Sequence, residues 1–245
     1  MWVKNSTGKY QLLATAKDGK VHLNAYLDDY AFLLDALIEL MQADYRTIDM
    51  QFAEDIAEAL LDNFEADDGG FYFTSHQHEQ LIHRPKSAYD NATPNGNGIA
   101  AVALQRLGHI LGEPRYLQIA ERALQAFDTL IKRNPAGCAS LSHALNEYLT
   151  PPTLVIVRGQ ANNLSQWRRE IGQHYYPHHI FFYLDETITS WDNIVSSNVQ
   201  FHTIVLVISD DISMTKSSLR KFDLESSTII SFFRIIRLNV DHDKR

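Results

Sequence analysis

The chain has 245 residues, enough for one large or two small domains with a real core, and it carries a formal net charge of −8. That acidic balance excludes the clustered Lys and Arg of a phosphate-binding surface, and with it a nucleic-acid partner. The single cysteine, Cys138, excludes an internal disulfide and any Cys-x-x-Cys redox chemistry, and points to a reducing compartment.

Residues 1–9 hold no apolar stretch of signal-peptide kind, and no window approaches the ~20 apolar residues of a membrane span. The expectation is a cytoplasmic protein without a membrane partner. From Asp29 to about Met41, Phe32, Leu33, Ala36, Leu37 and Leu40 recur at spacings of three and four, which predicts a helix with one buried face. Asp28 is the expected N-cap. A second amphipathic helix is expected from about Asp49 to Glu65, stopped by Asp67-Asp68-Gly69-Gly70, where glycine is free to adopt positive φ.

Phe71–Thr74 and Gln80–His83 read as two short strands around a polar turn. Asn95-Gly96-Asn97-Gly98 then leads into a helix over Ile99–Leu111, followed by one over about Pro114–Lys132 and one over Ala139–Tyr148. Pro151-Pro152 cannot continue the last of these. Beyond the prolines the pattern becomes a strand at Leu154–Val157, a helix near Leu164–His174 and a strand at Ile180–Tyr183. All 22 alanines fall within residues 1–161, while Ser, Ile and Phe rise in the final stretch. The expected organisation is helices with a β-hairpin excursion over 1–150, a small α/β segment over 151–184 and a divergent or unrelated tail over 185–245. Runs such as Ser227–Phe233 have high β-propensity and little charge, an aggregation hazard if unpaired.

Two helix starts carry the residues with chemistry. Asp28 and Asp29 point about 100° apart on a helix, so one can face a pocket while the other caps. Either could serve as a general acid or base, with Tyr26 or Tyr30 as an aromatic platform. The bland alternative is a cap and a packed ring. Downstream, Arg84 and Lys86 flank Pro85, and Asp90 follows within loop reach, which suits a structural clamp as well as an anionic-substrate site. Asn91, Asn95 and Asn97 supply paired donors and acceptors for hydroxyls, or merely start the next helix. His76, His78 and His83 lack a third ligand at a telling spacing, so no metal is expected. Neither phosphate-cradling glycine motif is present, so no nucleotide cofactor is implied.

The pattern Arg84-Pro85-Lys86, then Asp90-Asn91-Ala92-Thr93-Pro94-Asn95-Gly96-Asn97, resembles a signature of the thioredoxin-domain-containing family that includes spermatogenesis-associated protein 20 and bacterial YyaL. Asn91 stands where that pattern has glycine, and Asn95 where it has serine. Leu27–Leu33 and Asp67–Tyr72 resemble the same family. The resemblance runs from about Leu12 to Phe182 and implies a mainly α fold: a partial α/α toroid of the six-hairpin glycosidase kind, truncated and without the thioredoxin domain. It further implies a pocket for a carbohydrate-like small molecule. Tyr26, Asp29, Tyr30, Arg84, Lys86, Asp90 and Asn97 would bind it, and Asp28, Asp29 and Asp90 are the candidates for catalysis. A toroid missing helix pairs would leave apolar faces open to self-association. Two other readings stand beside this one: a non-catalytic interaction or regulatory module, and a non-functional product of a truncated gene.

Overall fold

A computed structural model describes residues 1–4, 8–79, 83–185 and 187–188, together with the backbone of 204–208 and 234–237. The fold is mainly α, with six α-helices and two small sheets among the described residues. The chain divides into two compact units. One comprises Met1–Met41, Arg46–Gly108 and Glu113–Thr150; the other comprises Gln42–Tyr45, His109–Gly112 and Pro151–Arg245.

The first unit opens with an antiparallel meander, β1 (Trp2–Lys4), β2 (Tyr10–Lys17) and β3 (Lys20–Asn24), in the order β1-β2-β3. Lys17 pairs with Lys20 across Asp18-Gly19, both at positive φ, the arrangement that Asp-Gly favours in a two-residue hairpin turn. The meander is fastened to the helices by Trp2, edge-on to Phe52, and by the Leu12 amide, which donates to the Tyr30 hydroxyl at 2.7 Å.

Five helices follow: α1 (Leu27–Ala43), α2 (Thr47–Phe64), α3 (Gly96–Leu111), α4 (Pro114–Arg133) and, after a 3-10 turn at Ala136–Cys138, α5 (Ala139–Leu149). Their side-chain contacts fix the packing. Asp28 meets Gly96 while Asp35 and Glu39 meet Arg106, so α1 and α3 run parallel. Gly98 abuts Ser140, Gln105 reaches the Ala144 carbonyl and Arg106 pairs with Glu147, so α3 and α5 run parallel too. In a second layer Glu58 pairs with Arg115 and Glu65 with Arg122, so α2 parallels α4. Tight connections make sequential helices antiparallel: Tyr30 at the start of α1 meets Phe64 at the end of α2. The helices thus form two layers of parallel helices, alternating in sequence.

Sequence patterning places four of these helices to within a few residues; α3 starts three residues early, taking Gly96, Asn97 and Gly98 into its first turn. The expected β-hairpin differs more. Phe71 makes an isolated antiparallel bridge with Glu65, the Phe73 amide donates to the Pro85 carbonyl, and Gln80–Ile82 lie outside the described residues. Gly69 and Gly70 take positive φ as expected, and a Cβ on Gly69 would lie 2.6 Å from the Arg122 carbonyl oxygen.

The second unit holds β4 (Thr153–Gly159), α6 (Ala161–Ile171), β5 (His179–Asp185), β6 (Ile204–Ile208) and β7 (Arg234–Arg237). All strand pairs are parallel, in the order β5-β4-β6-β7. One face of β4 and β5 packs against α6 through Val155, Val157, Leu164, Trp167, Ile171 and Tyr183. Near-continuous burial of Leu154–Val157 fits a parallel strand covered on both faces. β6 and β7 fall in the stretch read as a divergent tail, and their backbones extend the sheet that β4 begins. The Ser227–Phe233 run lies outside the described residues. No described helix is long and apolar enough to cross a membrane.

Candidate functional site

The parallel packing of α1, α3 and α5 brings three helix starts together, and most of the sequence-predicted polar residues gather there. Asn95 is the cap of α3: its Oδ1 accepts from the Asn97 amide at 2.9 Å. Asp28, half-buried, accepts from the next free amide of that turn, Gly96. Its expected role as cap of its own helix falls to Asp29, whose Oδ2 accepts from the Tyr26 amide at 2.8 Å, one half of a capping box. The helix begins at Leu27, one residue before the predicted cap, and this shifts Asp28 into the first turn and turns it toward α3.

Asp90 performs the same service for α5. Its Oδ1 accepts from the Asn95 amide at 2.7 Å and from Ser140 Oγ at 2.5 Å, and its Oδ2 from the Ser140 amide at 2.9 Å. Arg84 lies elsewhere. Its guanidinium donates to the carbonyls of Thr74 and Asn63, faces His76 Nδ1, and stacks on Tyr72 with Cζ 4.1 Å from the ring centre. The expected Arg84–Asp90 clamp is therefore absent: Arg84 bonds Asn63 and Thr74 and keeps a buried Nε without a partner, while Asp90 bonds Asn95 and Ser140. Lys86 bonds Asp68 and the Gly69 carbonyl. Asn97, nearly fully buried, clips the 71–87 loop to α3, accepting from the Phe71 amide and donating to the carbonyls of Phe71 and Ser87. Tyr30 is tied to Leu12, and Tyr26 stacks on Phe73 at 4.8 Å.

The electrostatics of the two carboxylates differ in sign. Burial pushes the Asp28 carboxyl above its ordinary range, Asp29 adds to this, and the Gly96 amide opposes it. For Asp90 burial also pulls upward, but the Ser140 hydroxyl and the amides of Ser140, Asn95 and Ala139 together outweigh it and hold the carboxyl low. Cys138, fully buried, has its thiol pushed up by burial and by Asp90, against the lowering that a helix start suggests. His78 Nδ1 accepts from the Ser75 amide at 3.0 Å, so the 75–78 turn uses that nitrogen itself. Among the described residues no group of three or more His, Cys, Asp or Glu side chains is placed to hold a metal.

Ser140 completes the cluster, and sequence reasoning passed it over. The signal was present at Gly98, where a Cβ would sit 2.6 Å from the Ser140 backbone. Also missed was the Arg106 hub. Arg106 reaches Glu147 at 2.5 Å and Glu39 at 2.8 Å, with Asp35 at 3.5 Å, joining α1, α3 and α5 through one guanidinium. His143 stands 3.4 Å from Glu147. These residues lie 41 and 67 positions apart, beyond any local pattern.

No protein-family model matches the chain. Among curated proteins it is 26% identical over 167 residues to spermatogenesis-associated protein 20 of Rattus norvegicus, covering 65% of this chain and 21% of that protein. The human counterpart is 28% identical over 49% of this chain and 16% of its own length. An uncharacterised protein of Caenorhabditis elegans is 23% identical over 64% of this chain and 22% of its own. The chain thus matches about a fifth of the length of these relatives. Over roughly half to two-thirds of its own length, it is similar to spermatogenesis-associated protein 20.

Proposed function

We propose that this chain serves as a non-catalytic helical module, built on an arc of α/α toroid and related to part of spermatogenesis-associated protein 20. One observation carries this reading. Apart from the buried Arg84 Nε, the polar atoms of Tyr30, Arg84, Lys86, Asp90 and Asn97, the core of the predicted binding set, are bonded mostly to backbone amides and carbonyls of neighbouring loops and helix starts. Groups spent in this way hold the loops to the helix starts and leave a ligand few partners. The buried thiol of Cys138 fits a cytoplasmic setting, and the exposed Ile48 and Leu149 offer apolar contacts for self-association.

A second reading rests on Asp28 alone. A half-buried carboxyl raised by its surroundings, placed where three helix starts converge, is suited to donate a proton to a carbohydrate-like small molecule. Saturation-transfer NMR with neutral mono- and disaccharides separates the two. The module reading expects no transfer to sugar protons. Transfer that disappears in Asp28→Asn replaces it with the second.

A further inference from the structure

A hollow of about 230 Å³ lies between the β1–β2 face and α2, away from the converging helix starts. One wall is aromatic: Trp2 and Tyr10 stack with centroids 5.6 Å apart and planes within 6°. The facing wall is one stripe of α2, Asp55, Glu58, Ala59 and Asp62, at helical spacings of three, four and seven. Ala59, the smallest residue of this stripe, leaves the middle of the wall open.

The charges of this wall are unequally satisfied. Glu58 is held by Arg115 and by the Tyr116 hydroxyl. Asp62 pairs with Lys9 across the mouth, both ends more than half exposed, so water or another cation can exchange for that lysine. Asp55 is exposed, and its carboxylate has no hydrogen-bond partner among the described residues. The Tyr10 ring already attracts one cation, with Lys4 Nζ 5.1 Å from its centre. Gln77 and Asn63 line the hollow but bond one another and the Ala59 carbonyl, which leaves little for the hydroxyls of a neutral ligand.

We propose that this hollow takes a guanidinium or ammonium head on an aliphatic stem, the stem against Trp2 and Tyr10 and the head between Asp55 and Asp62. The volume is below the ~300–1,000 Å³ of small-molecule pockets, which suits a side-chain-sized guest: an arginine of a partner protein or a free alkylamine.

The test is an NMR titration of the full chain with acetyl-arginine amide, following the Trp2 indole N–H, which is identified by its loss in Trp2→Phe. A saturable shift is expected, weakening as salt is raised and at least tenfold weaker for neutral acetyl-citrulline amide. Asp55→Asn should weaken it several-fold. Ala59→Met should abolish it while circular dichroism stays unchanged. Equal shifts with the citrulline probe or with glucose, no shift with any probe, or indifference to both substitutions would overturn the proposal. Tighter binding of a Gly-Arg-Gly peptide than of the amide supports a protein source for the guest, and equal binding supports a free amine.

Discussion

The two units are held together by different physics. In the helical unit the links between elements are charged and specific: Arg106 binds carboxylates from two other helices, Asp28 serves an amide of a helix other than its own, and Asp90, on a loop, serves the start of α5. In the sheet unit the links are apolar: Trp167 and Leu164 lie on Val155, Val157 and Tyr183, and burial pushes the Tyr183 hydroxyl up to about 12. A charged hub can fail by losing one partner, because the others stay buried without compensation. An apolar cluster fails by volume.

Substitutions that remove one link at a time sharpen this contrast. Arg106→Met leaves Glu147, 5% exposed, near Asp35 and Glu39 without the guanidinium, and should cost about 3–5 kcal/mol. Trp167→Ala empties the sheet unit's cluster and should also cost about 3–5 kcal/mol. Amide hydrogen exchange reads the units separately. Each substitution should lower protection most in its own unit, and equal loss in both units under either change would erase the distinction.

The next effect is steric. A Cβ on Gly98 meets the Ser140 backbone, which cannot rotate away, whereas one on Gly96 meets the carboxyl end of Asp28, which can. Gly98→Ala should therefore cost about 1–3 kcal/mol by overpacking, and Gly96→Ala less, as read by urea unfolding midpoints. The reverse ranking would mean that α3 and α5 can shift apart at their starts.

This pair of glycines also marks the limit of what the sequence made legible. Helices spaced by their apolar faces, and the β4–α6–β5 run, follow from local periodicity. So does the stop at Gly69-Gly70. The meander was missed although Asp18-Gly19 announces its turn, because β2 and β3 are mostly exposed and lack clean alternation. The site was legible as residues and illegible as wiring: Asp90 was paired with Arg84, six positions away, when its partner is Ser140, fifty positions away. Short-range reading favours the nearest opposite charge, while the fold offered Asp90 the free amides of a helix start.

That correction predicts additivity. Asp90→Ala removes hydrogen bonds to a charged acceptor and should cost about 2–3 kcal/mol. Arg84→Ala loosens the 72–86 loop, and since the two share no bonding partner, the double variant should equal their sum within about 0.5 kcal/mol. A larger coupling would restore the clamp.

The smallest effect is the most discriminating, because Asp28 and Asp90 should respond to pH in opposite senses. Asp90 is held below its unfolded value of ~3.9, so its contribution is present above that pH and is lost as pH falls through its folded value. Asp28 is held above it, so its contribution is complete below ~3.9 and is lost as pH rises through its folded value. Asp28→Asn, which keeps an acceptor for the Gly96 amide, should therefore be neutral or stabilising at pH 7, by under about 1 kcal/mol, and should approach the parent's stability in acid. Asp90→Asn should be destabilising at pH 7 and also approach the parent's stability in acid. Carboxyl carbon NMR titrations of the parent chain give the two directions independently. If both carboxyls titrate low, Asp28 is one more helix cap, and the reading that makes it a proton donor fails with it.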